Sequence, residues 1–317
     1  MNVDPTRARL GPAPHYESYY LKARHPGEPL AFWIRHTVLV RPGSAPAAAV
    51  WFTLFEPAGV RAVQVARLQP STPRDGWFAA GESRIGDGRA GGTAAGADCS
   101  ASWDVRFTMD AEPLFHLPAT WMYKARLPKT KSISVQPFTR LDGVLRVDGR
   151  EWVLDGWPGM VGHNWGTEHA ARWIWLHGAG FDGAGDDTWI DVVLGRVEIA
   201  GRTTPWIAGG AVSIDGTRRR IGGLRRRPEV SEHYAGAELR LPAEGLRADV
   251  NVSSGQVAGW RYADPTGGEH HVFNSSVADM TLALPGRTLR SEAGAVYELG
   301  VRETDHGLAL QPYPAEA

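Results

Sequence analysis

The sequence predicts an all-β protein made of antiparallel barrels or sandwiches, and three observations support this fold class. The chain of 317 residues contains 38 glycines and 22 prolines, which leaves little room for long helices. Short apolar and alternating stretches recur along the chain between turn residues, roughly eight in each half. Heptads, periodic repeats and glycine-rich nucleotide-binding motifs are absent from the sequence. Short strands at regular spacing are typical of antiparallel barrels and sandwiches.

Composition excludes several functional classes. The formal net charge is −1, so the protein lacks the excess of positive charge that attracts nucleic acid. Cys99 is the only cysteine, which excludes an intramolecular disulfide and a cysteine-based metal site and suits a reducing cytoplasm. Residues 1–14 lack the apolar segment of a signal peptide, and the apolar run 46–55 is too short to cross a bilayer. We therefore expect a cytoplasmic protein without a transmembrane segment. Any contact with a membrane would be transient.

Several strands of the first half can be placed individually. Residues 31–40 and 48–56 are rich in apolar and β-branched residues and predict a hairpin around the turn at 42–46. Alternation over residues 101–109 predicts another strand, whereas the glycine-rich and alanine-rich stretch 81–100 predicts an exposed loop. The Asp148-Gly149 pair is the strongest hairpin-turn signal in the chain.

The segment 156–182 is the richest in aromatic residues. Five of the 13 tryptophans fall in it or just before it. Glycines punctuate its first half, which predicts a tight, irregular loop, and residues 172–181 predict a strand. Because strand side chains alternate between faces, Trp173, Trp175 and His177 share one face. Two interpretations of these tryptophans stay open, a barrel core and the apolar wall of a ligand site.

Titratable and polar side chains lie next to this aromatic face in sequence. His163, Asn164 and Glu168 are close together among glycines, an arrangement common in functional loops. An early strand adds Glu17 and Tyr19 on one side, although a solvated position for Glu17 is an equal alternative. Carboxyl and imidazole groups beside apolar surface acquire shifted pKa values, which suits proton transfer on a hydrophobic substrate.

Metal and nucleophile motifs are missing. His163 and His169 are six residues apart with no third ligand fixed by sequence, and no HExxH motif is present. The sequence contains no Gly-x-Ser-x-Gly motif, and Cys99 has no histidine near it in sequence. We therefore expect neither a metal nor another cofactor.

Two short motifs together resemble a known family. Residues 16–20 (Tyr-Glu-Ser-Tyr-Tyr), and Asn164-Trp165-Gly166 followed by Trp173 and Trp175, are similar to segments of the two-domain lipocalin-like superfamily. This superfamily includes tocopherol cyclase, the carotenoid 1,2-hydratase (hydroxyneurosporene synthase) group, the AttH-like proteins and fungal lipocalin-like Diels–Alderases. The resemblance spans residues 15–305 and implies two consecutive lipocalin-like antiparallel β-barrels. We expect a flexible arm over 1–14, one barrel over 15–155 and the second over 156–310.

The chain departs from the enzymes of this superfamily at the motifs themselves. Tocopherol cyclase has a lysine before its Asn-Trp-Gly, where this chain has His163, and its Glu-Gly-Trp-Tyr corresponds to residues 17–20. The hydratase group tends towards an acidic residue in the mid-chain loop, where this chain has Asn164 and, further on, Glu168. The resemblance thus implies a hydrophobic ligand without fixing a reaction.

The leading hypothesis is a cofactor-independent enzyme, a hydratase (lyase) or a cyclase/isomerase, that acts on a terpenoid, carotenoid or polyketide-like molecule. Glu17 or Glu168 is the expected proton donor, and His163 is the expected base or orienting group. For Asn164, a purely structural role is the alternative to ligand binding. The residues expected to bind the ligand are Tyr19, Arg35, Asn164, Trp165, Trp173, Trp175, His177, Asp191 and Asn274. The six expected to converge on one cavity where the barrels meet are Glu17, His163, Asn164, Glu168, Trp175 and His177. The rival hypotheses are a non-catalytic lipid or pigment carrier and a structural partner protein.

Overall fold

The computed structural model describes residue 4 and residues 13–74, 76–199 and 201–312, which are almost entirely antiparallel β-structure. No α-helix occurs in these ranges, and the two short 3₁₀-helices are Thr120–Tyr123 and Pro242–Glu244. No helix within them is long and apolar enough to cross a membrane. The all-β prediction is therefore confirmed. The arm expected over residues 1–14 falls almost wholly outside the described residues.

The first sheet has 12 strands and curls into a nearly closed barrel, in which β4 and β8 approach each other. Its strands run in the order β4-β3-β2-β1-β12-β11-β9-β8-β7-β6-β5, and β10 pairs with β11. The strands are β1 His15–Arg24, β2 Ala31–Val40, β3 Ala47–Glu56, β4 Gly59–Leu68, β5 Pro70–Ser71, β6 Phe78–Ala80, β7 Ser83–Gly86, β8 Arg89–Ala95, β9 Ser100–Phe107, β10 Leu114–Phe115, β11 Thr130–Val147 and β12 Arg150–Gly166.

The second sheet has 10 strands and forms a half-barrel in the order β18-β17-β14-β13-β24-β23-β21-β20-β19, with β22 paired to β23. A separate ribbon joins β15 to β16. The strands are β13 Arg172–Ala179, β14 Trp189–Arg196, β15 Glu198–Ile199, β16 Arg202–Thr203, β17 Ile207–Ile214, β18 Thr217–Gly222, β19 Glu229–His233, β20 Gly236–Leu241, β21 Leu246–Asn251, β22 Ala258–Ala263, β23 Glu269–Leu284 and β24 Arg287–Val301.

The buried side chains form three main layers. One cluster fills the inside of the first sheet and a second lines the concave face of the second sheet. The third cluster lies between the two sheets and is rich in tryptophan, with Trp33, Trp51, Trp173, Trp175 and Trp260 among its members. Strand alternation produces this division, because neighbouring residues on β1, β12 and β13 point to different layers.

The loop predicted over the first half of 156–182 is wrong for residues 156–166, which belong to the continuous strand Arg150–Gly166. Residues 167–171 do form a loop before the next strand. The glycines Gly159 and Gly162 do not turn the chain; they let atoms of the neighbouring strand come close to it. A Cβ atom on Gly159 would lie 2.3 Å from the Lys22 carbonyl oxygen, and one on Gly162 would lie 2.2 Å from the Tyr20 ring. Glycine inside a strand often marks a place where another backbone or ring comes unusually close.

The exposed loop predicted over 81–100 is also wrong, since β7 and β8 lie within it. Small residues there still alternate, with Ala90 and Ala94 buried in the barrel core. The hairpin of β2 and β3, the strand over 100–107 and the turn at 148–149 are confirmed. The boundary expected at 155/156 falls inside β12, and the chain passes to the second sheet after residue 166. That the two sheets are separate domains stays a prediction.

Candidate functional site

A cavity of about 330 Å³ lies between the two sheets. Its lining is mostly apolar and aromatic, with Tyr16, Tyr20, Trp33, Trp173 and Trp175 in its walls. Its volume is at the lower end of those that hold drug-sized ligands. A mostly apolar cavity with a small number of polar groups is the usual form of a small-molecule site.

Arg35 is a buried cation in the cavity wall. It extends from β2 and is 4% exposed. Its Nε donates to Ser18 Oγ at 2.6 Å, and its guanidinium lies 3.9 Å from the centre of the Tyr262 ring. Tyr262 comes from β22 of the second sheet, so this cation–π contact joins the two sheets.

His169 and Asp264 form a hydrogen-bonded pair at the cavity. The two side chains meet through Nδ1 and Oδ1 at 2.7 Å, and the His169 backbone N–H also donates to Oδ1, at 2.9 Å. The imidazole stacks on Tyr16 on one side and lies against Trp173 on the other. Burial lowers the pKa of His169, against the opposing effect of the Asp264 carboxylate. A neutral imidazole that donates through Nδ1 leaves the Nε2 lone pair available as a base.

Asp264 stays ionised beside that imidazole. Burial alone would raise its pKa, but the hydrogen bonds from His169 and the His270 ring, whose Nδ1 lies 3.3 Å from Oδ2, hold it well below its usual range. A carboxylate that accepts from Nδ1 fixes the tautomer and the orientation of the ring. Asp264 is therefore suited to position His169, so that the Nε2 atom of His169 is the one left to react.

His169 and Asp264, together with His270, are the one group of histidines and acids among the described residues that could hold a metal ion. Candidate ligand atoms of His169, Asp264 and His270 lie within 4.8 Å of one another. Arg302 approaches the group, with its Nε 3.2 Å from His270 Nε2. A guanidinium donor beside a ligand disfavours a divalent cation, because like charges repel at short distance. The two partners that complete the group with His169 were not predicted from the sequence.

Glu298 is a buried carboxyl on β24 of the second sheet, and it also lines the cavity. It accepts from Trp173 Nε1 at 2.8 Å and from Asn274 Nδ2 at 3.1 Å. Burial raises the pKa of Glu298, and the two hydrogen bonds and Arg35 oppose this shift only in part. The cavity therefore has a base whose pKa is lowered and an acid whose pKa is raised, and both contact Trp173.

Five cavity-lining residues carry a buried polar atom that has no hydrogen-bond partner among the described residues. These atoms are Trp33 Nε1, Arg35 Nη1, Asn164 Oδ1, His169 Nε2 and Tyr262 OH. Buried polar groups are nearly always hydrogen-bonded, and an unpaired one costs about 1–3 kcal/mol. Their concentration around one cavity indicates a place where a polar group of a ligand binds.

The open side of the cavity has an apolar rim. Trp121, Leu127, Ile199 and Leu224 line the cavity and are exposed, Trp121 by 64%. Exposed apolar side chains grouped at one opening are typical of sites that admit hydrophobic molecules.

Four of the residues expected to bind ligand line this cavity, namely Arg35, Asn164, Trp173 and Trp175. Glu17, Tyr19 and His163 do not line it, since they point to the other face of β1 and β12, into the first barrel. There His163 and Glu17 form a fully buried pair, with Nε2 and Oε1 2.7 Å apart. The expected convergence of all six residues on one cavity is therefore not what the structure shows.

The remaining candidates do not line the cavity. Asp191 accepts from Trp175 Nε1 at 3.0 Å, and Asn274 donates to Glu298. His177 is buried beside the Pro137 carbonyl group, and Trp165 packs with Tyr123 and Ile133. Glu168 is half-buried and pairs with Lys129 and Arg302. Any catalytic role of Glu17, His163 or Glu168 stays a prediction.

Four residues of the site, His169, Tyr262, Asp264 and Glu298, were not predicted from the sequence as site residues. His169 was visible as a histidine beside the motif, but its partner Asp264 is 95 positions away. Glu298 had a usable signal, because alternation on its strand places it between the apolar residues Val296 and Gly300 on one face. A carboxylate on an inward face is a candidate for a perturbed group.

An all-β fold of this kind is also found in a solved structure. A crystal structure of a putative AttH from Nitrosomonas europaea superposes with a TM-score of 0.54 at 15% identity and covers 90% of this chain and 92% of its own. At this identity the likeness concerns the fold. Two uncharacterized proteins from strains of Mycobacterium tuberculosis are 25% identical over 301 residues, which is 93% of this chain and 88% of theirs. No family model matches the sequence.

Proposed function

We propose that the protein binds an apolar small molecule in the cavity between the two sheets and transfers a proton on it without a cofactor. The observation that supports this most is the set of five unpaired polar atoms around a mostly apolar cavity. A ligand with one polar end satisfies these atoms, and its apolar body packs against the tryptophans. The reaction class is hydration, cyclisation or isomerisation of a terpenoid, carotenoid or polyketide-like compound.

His169 is the proposed base and Glu298 the proposed acid. Asp264 holds the His169 ring so that Nε2 accepts the proton, and burial raises the pKa of Glu298, which favours its protonated form. Proton transfer by such positioned groups contributes about 10²–10⁴ in rate. Glu17 and His163 face the barrel interior, so a molecule in this cavity does not contact them.

The test uses two near-isosteric variants, His169→Asn and Glu298→Gln. Asparagine keeps a donor in the position of Nδ1 for Asp264 but removes the basic Nε2. The ligand is recovered by native mass spectrometry of protein purified from its source, and its conversion is followed by chromatography. Both variants are expected to bind the recovered molecule and to lose about 10²–10⁴ in turnover. The matched controls are the exposed residues His233→Asn and Glu151→Gln.

The second candidate is a carrier, which the apolar rim favours because Trp121 and Leu224 guide a hydrophobic molecule to the cavity. A carrier yields the same molecule unchanged after prolonged incubation with the protein. Unchanged turnover in both variants would remove His169 and Glu298 from the reaction. Failure to bind any apolar molecule would remove the whole proposal.

A further inference from the structure

We propose that the ligand carries a carboxylate and that Arg35 binds it. This inference rests on the proposed binding function and names the chemical class of the ligand. The sequence alone assigns Arg35 to ligand binding without a chemical role. The environment of the guanidinium supplies that role, independently of any reaction.

The charge of Arg35 is buried without a counter-ion. Its side chain lies between the two sheets, and no carboxylate of the described residues forms an ion pair with it. Its partners within the described ranges are neutral, since Nε donates to the Ser18 hydroxyl group and the guanidinium lies against the Tyr262 side chain. A buried cation that lacks an anionic partner is costly, so an arginine placed in this way indicates an anion that is present part of the time.

The guanidinium is also held in a fixed orientation. Ser18 fixes Nε, while the rings of Tyr262 and Trp51 lie at 3.9 Å and 5.6 Å from Cζ. These contacts leave Nη1 buried without a hydrogen bond to any described residue. Two parallel N–H groups on a planar, oriented fork match the two oxygens of a carboxylate.

Glu298 does not supply this anion. Its two oxygens already accept hydrogen bonds from Trp173 and Asn274, and it forms no ion pair with Arg35. It interacts with the guanidinium only at longer range. A ligand carboxylate between the two residues neutralises Arg35 and favours the protonated form of Glu298, so the anchor and the proposed acid reinforce each other.

The neighbouring unpaired groups fit the same ligand. The Tyr262 hydroxyl group and the Trp33 indole N–H are donors on cavity-lining residues, and both suit an anionic oxygen. The rest of the wall is apolar, so the molecule is amphipathic, with a carboxylate at the buried end and a hydrocarbon body towards the rim. A cationic headgroup is excluded at this position by repulsion from Arg35.

The test compares dodecanoic acid, dodecan-1-ol and dodecylamine as probes, with binding followed by quenching of tryptophan fluorescence. Wild-type protein is expected to bind the acid about 10-fold to 100-fold more tightly than the alcohol, and the amine more weakly than both. Arg35→Met is expected to abolish the preference for the acid while it leaves binding of the alcohol nearly unchanged. Arg35→Lys is expected to retain part of the preference, because it keeps the charge but not the fork.

The control variant is Arg41→Met, an exposed arginine directly after the same strand, which should behave as wild type. Equal affinity of wild type for acid and alcohol would overturn the carboxylate assignment while it leaves the binding function intact. An unchanged acid preference in Arg35→Met would also overturn it. If none of the probes binds and none displaces the molecule recovered from the source, the proposed function fails as well. If Arg35→Met does not fold, Arg35→Lys tests the assignment in its place, because an acid preference equal to that of wild type would show that the guanidinium fork of Arg35 does not bind the carboxylate.

Discussion

Glu17 Oε1 and His163 Nε2 lie 2.7 Å apart inside the first barrel, and both side chains are fully buried. The pair joins β1 to β12, with Tyr19 stacked on the imidazole at 4.1 Å. These residues were expected to do chemistry, and the structure places them in the barrel interior, outside the lining of the cavity between the sheets.

Glu17→Gln is therefore expected to lower stability without loss of ligand binding. The substitution leaves His163 with a weaker, neutral partner in a buried place, and such losses cost about 1–3 kcal/mol. Thermal and urea unfolding measure the effect, and the exposed variant Glu151→Gln is the control. A variant with wild-type stability and strongly reduced turnover would return Glu17 to the catalytic role.

Lys22 gives the protein a predictable pH dependence of stability. Burial lowers the pKa of Lys22 from 10.5 to about 7. The unfolded chain therefore binds more protons than the folded one above pH about 7, and stability rises with pH by up to about 1.4 kcal/mol per unit in that range. Lys131, whose pKa burial lowers to about 8, adds a rise of the same sign.

The contribution of Lys22 is isolated by comparison with Lys22→Met. We expect the variant to be the more stable protein near pH 7, and its advantage to shrink as the pH approaches about 8.5. Urea unfolding over this range measures the difference. Higher pH is avoided because burial raises the pKa of Cys99 from 9.0 to about 11, which gives the opposite sign above pH 9. A constant difference between the two proteins would show that Lys22 does not titrate in this window.

Gly300→Ala is expected to damage the cavity wall. A Cβ atom at this position would lie 2.2 Å from the Trp173 ring, which cannot move without losing its hydrogen bond to Glu298. Overpacking of this kind costs about 1–3 kcal/mol and should weaken ligand binding. Gly27→Ala is the control, since no atom lies within 4 Å of the place its new methyl group would take. Wild-type binding by Gly300→Ala would mean that Trp173 has room to yield.

Chelation is expected to leave stability and binding unchanged. Filling the group of His169, Asp264 and His270 with a metal would break the bond between His169 and Asp264 and place a dication beside Arg302. Metal analysis after dialysis and melting temperature with and without a chelator are the measurements. Stoichiometric zinc that survives dialysis, together with a drop in melting temperature on chelation, would contradict the expectation of no metal.

The fold class was predictable from local patterns, because strand alternation and turn residues are local signals. The shared face of Trp173 and Trp175 and the hairpin turn at 148–149 followed from such signals. The strand over 156–166 was missed, because the sequence does not distinguish a glycine that makes room for a neighbouring ring from a glycine that turns the chain.

The site was predictable only in part for a different reason. Alternation tells which residues share a face, but not which face is the barrel interior and which meets the other sheet. Glu17 was grouped correctly with Tyr19, yet their face is the barrel core. The pairing of His169 with Asp264 depends on the packing of strands far apart in sequence, and no local pattern encodes it.

The alternation of β1 and of residues 157–166 of β12 also separates the effects of sequence variation by the parity of the residue number. In these two stretches odd positions such as Glu17 and His163 face the barrel, and even positions such as Ser18 and Asn164 face the partner sheet. In a saturation library, substitutions at odd positions would change the abundance of folded protein, and substitutions at even positions would change the selectivity among ligands. Ligand preference can thus diverge along these strands while the barrel that carries them is maintained.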